Sequence, residues 1–212
     1  MDESSKKLIN QFHIIANKGW ISNVCDNWGG VGLTFEDQLD KKPDSRYTPD
    51  YYDIEIKCTG RYSRYPLFLF TIALDGPTAD EITRITEKYG HFDNDFPDKR
   101  VLFERISCES SSYNGCGNTF KLNVDYENQK IFICIYDLNG CLLEKEAYVN
   151  FSSLKNHLES KLKKMAVVYA SKRTENKKYY FRYYKIVLYY LKSFDTFISF
   201  NSPKSSSDSS FG

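Results

Sequence analysis

Pro49-Asp50-Tyr51-Tyr52-Asp53-Ile54-Glu55-Ile56-Lys57 is the stretch on which the reading of this chain turns. Its second half has the composition of a β-strand, in which residues two apart face the same side. Glu55 and Lys57 then point together, and Ile54 and Ile56 point the other way, into a core. Asp50 follows Pro49 while the backbone is still turning, so its carboxylate can swing beside Glu55. Two carboxylates and a strand carbonyl form the hard, all-oxygen pocket that suits Mg²⁺. A lysine beside such a pocket can hold and polarise a water, and the set suits metal-assisted phosphodiester hydrolysis. A second reading stays open on these residues alone. Charged residues are 27% of the chain, so an acid followed by Glu-x-Lys arises by chance, and the pair would then be solvated neighbours on a strand with one wet face.

The surroundings bear on the choice. Upstream stands Gly30-Val31-Gly32-Leu33-Thr34-Phe35-Glu36-Asp37-Gln38-Leu39; downstream come Lys57-Cys58-Thr59-Gly60-Arg61 and Pro66-Leu67-Phe68-Leu69-Phe70-Thr71. This ordered series resembles the MvaI/BcnI family of restriction endonucleases and their relative MutH, in the PD-(D/E)XK nuclease superfamily. In that family a Gly-x-Gly-x-Thr-x-Glu element opens a helix, and a Pro-Asp and an Ile-Glu-Leu-Lys-Thr strand follow. A basic turn and an apolar strand come next. The likeness runs over residues 19–77 and, more loosely, to about residue 200. Cys58 stands where the family usually has Thr, and the last dozen residues lack the family's usual basic ending.

The resemblance implies an α/β (α+β) PD-(D/E)XK fold, a central mixed β-sheet flanked by helices, in two lobes around a DNA cleft. It implies one MutH-like endonuclease domain over residues 1–200; the low-complexity tail over 201–212 is expected from its composition to be disordered. Asp50 and Glu55 would bind Mg²⁺, Lys57 would activate the water, and Glu36 would orient Lys57 or complete the metal shell. Double-stranded DNA would be the partner, cut as a type II restriction enzyme cuts it. The implied site is short, GC-containing and nearly palindromic. The implied enzyme is a monomer that nicks one strand at a time and works beside a cognate DNA methyltransferase. Two alternatives remain: a MutH-like strand-nicking repair enzyme, and an inactive nuclease fold that only binds DNA or protein. Cleavage that stops on adding EDTA separates the enzymes from the binding module.

Composition sets outer limits. The 212 residues suit one domain or one domain in two lobes. The net charge of +1 carries no global basic signal, so contact with DNA would fall to local clusters. One such cluster is Lys172, Arg173, Lys177 and Lys178, expected on a basic turn over residues 171–178 between two strands. A solvated hairpin tip would have the same composition. Arg61 and Arg64, just past the motif strand, suit phosphates. The six cysteines, Cys25, Cys58, Cys108, Cys116, Cys134 and Cys141, form no Cys-x-x-Cys pair, so zinc knuckles are not expected. No run reaches membrane length and no leader precedes the chain, so a cytoplasmic protein with reduced thiols and no membrane partner is expected. The 17 Tyr and 15 Phe also allow a Tyr-rich structural domain, a reading that rests on composition only.

Periodicity predicts helices over residues 4–17 (capped by Ser4 or Ser5), 33–39, 78–89 with Ile82 and Ile85 inward, 151–162 and 193–200. Glu36 falls near the expected start of the second, where it would favour the helix dipole. Strands are expected at 67–74, buried on both faces, and at 101–108, 120–125, 130–136, 141–149, 165–170 and 179–191.

Overall fold

Leu8, Phe12 and Ile15 recur at helical spacing and all three are buried. They form the inner face of the first element of this computed structural model, which describes residues 1–25, 30–41, 48–61, 63, 67–106, 112–113 and 116–200. In chain order the elements are α1 Glu3–Asn17, β1 Ile21–Ser22, α2 Gly30–Asp37, β2 Glu55–Gly60, α3 Ala79–Tyr89, β3 His91–Phe92 and β4 Arg100–Val101. Then follow β5 Ser112–Tyr113, β6 Asn118–Asp125, β7 Lys130–Asp137, β8 Leu142–Asn150, α4 Phe151–Lys161, β9 Lys164–Glu175, β10 Lys178–Tyr190 and α5 Phe194–Phe200. The fold is mixed α+β and divides into two compact units.

The first unit comprises Met1–Thr71 and His157–Lys192. Its sheet runs β1-β10-β9-β2. β2 lies parallel to β9 while the other neighbours are antiparallel, so the sheet is mixed. β9 and β10 form a long hairpin closed by Asn176 and Lys177, both at positive φ (50° and 63°). That geometry matches the right-handed twist of the flanking strands. α1 lies against β10 and α2 against β2. The core between them includes Phe12, Phe35, Ile54, Ile56, Val168 and Tyr183. Gly30 opens α2 with the Asn23 side chain packed against it: a Cβ there would fall 1.9 Å from Asn23 Oδ1.

The second unit comprises Ile72–Asn156 and Ser193–Gly212. It is built on the antiparallel meander β5-β6-β7-β8. Ile85 and Tyr89 of α3 pack on Phe120 and Ile135 of this sheet. A capping box starts α3, with Thr78 and Glu81 each taking the other's backbone N–H. Arg84 then spans Glu144 and Glu146 of β8 at 2.9 and 2.7 Å.

Several expectations change. Asp2, not Ser4 or Ser5, caps α1, its carboxylate accepting the Ser5 N–H at 3.0 Å. Residues 67–74 are not a strand: they form no ladder among the described residues, and Phe68 is exposed. A continuous apolar run limits solvation but does not supply a pairing partner. Of the strand expected at 101–108, Val101 lies in the two-residue β4, residues 102–106 are not in a strand, and 107–108 lie outside the described residues. Ile82 is exposed, because α3 turns Ile85 and Tyr89 inward instead. α2 begins three residues early, at Gly30. The 171–178 turn contracts to its two central residues, which leaves Lys172 and Arg173 inside β9. The tail 201–212 lies outside the described residues.

Candidate active site

Asp50 reaches β2 through a tight reversal. Tyr51 and Ile54 exchange backbone hydrogen bonds at 2.9 Å in both directions, and Tyr52 between them takes φ 54°. The reversal turns Asp50 back along the strand, where Oδ2 accepts the Ile56 N–H at 2.9 Å. β9 occupies the other side of β2, so this carboxylate satisfies a donor on the side of the strand away from it. Asp50 Oδ1 is held by Lys41 Nζ at 2.5 Å.

Glu55 is 1% exposed, which rules out the wet-face reading of β2. Its Oε1 meets Lys57 Nζ at 2.8 Å and Lys161 Nζ at 3.5 Å. Its Oε2 is buried and has no hydrogen-bond partner among the described residues. An orphaned, buried carboxylate oxygen is costly and suits a cation. Burial, reinforced by the negative charge of Asp50, holds the Glu55 carboxyl above its ordinary range, and the two lysines oppose that rise.

Glu36 joins this cluster electrostatically. Its carboxyl is also raised, first by burial, then by the charges of Asp50 and Glu55, with Lys41 and Lys57 opposing. The helix-dipole explanation fails, because Glu36 occupies the last turn of α2, where the dipole disfavours a carboxylate. Asp53, the other acid of the motif, points elsewhere: Lys164 holds it at 2.5 Å and Ser4 at 2.6 Å. Cys58 packs against the core of its unit, and burial pushes its thiol pKa up. It is an inert thiol rather than a nucleophile.

Three acids and three lysines therefore converge: Glu36, Asp50 and Glu55 with Lys41, Lys57 and Lys161. Sequence reasoning missed Lys41, which sits in a polar connection, and Lys161, which sits in a lysine run at the end of α4. Neither spacing carries a signal, since tertiary packing alone brings them to the acids. Among the described residues no group of three or more His, Cys, Asp or Glu side chains is gathered closely enough to hold a metal ion. A cation here would rest on Asp50 and Glu55, completed by backbone and water oxygens, an arrangement Mg²⁺ commonly accepts. The orphaned Glu55 Oε2 fits that group.

Lys172 and Arg173 are adjacent on β9 and so face opposite sides of the sheet. Lys172 Nζ lies 3.8 Å from the Tyr179 ring centroid, and desolvation lowers its pKa. The Arg173 guanidinium lies 4.8 Å from the Trp20 ring and 5.3 Å from that of Tyr180, and pairs with Glu175 at 3.2 Å. Lys177 is at the hairpin turn and Lys178 opens β10, both exposed. Arg61 follows β2 directly and is exposed, its guanidinium 6.0 Å from the Tyr184 ring. Arg64 lies outside the described residues.

Residues 9–201 match the MvaI/BcnI restriction endonuclease family. Among the solved structures that resemble the chain are two of restriction endonuclease MvaI. One is a complex of restriction endonuclease MvaI with its cognate DNA substrate, with TM-score 0.85 and 28% identity over 95% of this chain and 81% of that one. The other is MvaI in the absence of DNA, with TM-score 0.55 and 26% identity over 95% of this chain and 80% of that one. No curated protein matches the chain. Among the described residues no helix is long and apolar enough to cross a membrane.

Proposed function

The chain belongs to the MvaI/BcnI restriction endonuclease family and is a type II site-specific deoxyribonuclease, and we propose that Asp50, Glu55, Lys57 and Glu36 form its Mg²⁺-dependent active site. The observation that carries this reading is Glu55, whose Oε1 meets Lys57 while its buried Oε2 has no partner among the described residues. Asp50 and Glu55 would hold Mg²⁺. When bound, that ion would neutralise charge developing on the phosphate and acidify a bound water.

The protein's own groups do the remaining work. Lys57 points with Glu55 from one face of β2 and orients the attacking water through its ammonium. Glu36 feels both metal-binding acids and steadies Lys57 electrostatically. The Ile56 N–H fixes Asp50, so the two carboxylates are arranged before substrate arrives, and preorganised charge is worth most in a dry site. Residues 1–200 would act as one nuclease domain.

The substrate we propose is double-stranded DNA, by likeness to the MvaI complex with its cognate DNA. Arg61, Arg64, Lys172, Arg173, Lys177 and Lys178 would touch its backbone. We read the enzyme as a cytoplasmic monomer that cuts one strand at a time at a short GC-containing site, with a cognate methyltransferase protecting host DNA. Incubating the protein with unmethylated plasmid and Mg²⁺, then sequencing the ends, tests this. One discrete set of ends that disappears with EDTA is expected. Random ends, or cleavage that survives EDTA, would refute it.

A further inference from the structure

Both oxygens of Asp50 are engaged: Oδ2 by the Ile56 N–H at 2.9 Å and Oδ1 by Lys41 Nζ at 2.5 Å. The first partner is rigid backbone. The second is an ammonium on a flexible four-carbon stem. Lys41 and Asp50 side chains are each only 16% exposed, so this pair is held inside the protein rather than on its surface. Lys41 is placed by α2, whose Glu36 carbonyl accepts its backbone N–H at 3.0 Å.

We propose that Lys41 is a positioning residue that serves as a resident counter-ion to Asp50 and competes with the metal for its carboxylate. This rests on the metal-site reading above. A divalent cation bound by Asp50 and Glu55 would meet the Lys41 ammonium across one carboxylate group, and like charges at that distance repel. Of the two partners of Asp50, the one on a flexible stem is Lys41, whereas the Ile56 N–H is backbone. Without metal the cluster is balanced, three carboxylates against the lysines Lys41, Lys57 and Lys161. A dication then adds positive charge that a DNA phosphate can offset. Lys41 therefore keeps metal affinity low in the free protein, while the Ile56 N–H keeps Asp50 turned along β2.

Two measurements on the DNA-free full chain test this. In the first, Mn²⁺ is titrated calorimetrically into wild type, Lys41→Gln, Lys41→Met and Asp50→Asn. An opposite charge beside an aspartate lowers its proton affinity by about one to three powers of ten, and competition with a bound dication acts in the same sense. Both Lys41 variants should thus bind Mn²⁺ at least about tenfold tighter than wild type. Affinity equal to or weaker than wild type overturns the proposal. In the second, wild type is acylated with a lysine-reactive ester, with and without Mn²⁺, and Lys41 is read by peptide mass spectrometry. Labelling of Lys41 should rise several-fold with Mn²⁺ relative to Lys164, which is ion-paired to Asp53; an unchanged ratio overturns the proposal even if a variant fails to fold. Mn²⁺ binding that survives Asp50→Asn unchanged marks failure of the metal-site reading itself.

Discussion

Asp50 and Ile56 are joined by a hydrogen bond of 2.9 Å from the strand N–H to the carboxylate, across a reversal centred on Tyr52. This one bond brings an acid from outside β2 to the strand that carries Glu55 and Lys57. It also separates the two aspartates of the motif. Asp50→Ala should abolish cleavage, whereas Asp53→Ala should cut at near the wild-type rate, since Asp53 spends its charge on Lys164 and Ser4. Initial rates on one duplex compare the two, and a dead Asp53 variant would reassign the metal ligand.

Lys57→Ala should slow cleavage by about 10²–10⁴-fold, the range for losing a positioned proton-handling group. Binding should hardly change, because one lysine is a small part of the electrostatic footprint. Gel shifts in EDTA beside cleavage assays in Mg²⁺ measure both. Cleavage at the wild-type rate would remove Lys57 from the chemistry.

Glu36→Gln should raise stability at pH 8 while slowing the reaction. The folded-state carboxyl of Glu36 is raised by burial and by Asp50 and Glu55. Its ionisation therefore costs the folded state stability as pH climbs through that raised value. Below the ordinary carboxylate value of about 4.3 both states are protonated and the difference should vanish. Thermal melts at pH 4 and pH 8 give the sign. A loss of stability at pH 8 would show that Glu36 is instead held as a favourable anion.

Neutralising Lys172, Arg173, Lys177 and Lys178 together should weaken binding to every DNA sequence alike, since phosphate contacts carry no base information. The slope of log affinity against log salt should flatten by roughly 0.9 for each phosphate no longer neutralised. Arg173→Ala alone should give a different pattern if its guanidinium, 4.8 Å from the Trp20 ring, reads a guanine edge. It would relax one base position at a cost of about 1–3 kcal/mol there. An unchanged salt slope in the quadruple variant removes the hairpin from the interface.

Much of this site was legible in the chain because its logic is local. A period of two over residues 54–57 places the isoleucines in the core and the charged pair together, and α1 and the β6–β8 meander follow from equally short patterns. The missed parts depend on packing between distant segments. Lys161 meets Glu55 across 106 positions in sequence, and nothing in its lysine run distinguishes it from its neighbours. The Gly30 start of α2 read as loop, although the Asn23 side chain packs where a Cβ at that position would stand. Residues 67–74 misled for the opposite reason, because an apolar run looks the same whether or not a neighbouring strand pairs with it.

At the heart of the proposed mechanism, Asp50 and Glu55 hold a metal without which the phosphodiester bond does not break. The most direct test is the cleavage rate of one duplex by wild type and by Glu55→Gln across a Mg²⁺ titration, ending in excess EDTA. Wild type should cut only with Mg²⁺ and stop in EDTA, while Glu55→Gln, folded and still able to bind DNA, should cut at no Mg²⁺ concentration. Wild-type cleavage that continues in EDTA, or Glu55→Gln cutting at near the wild-type rate, would contradict the mechanism.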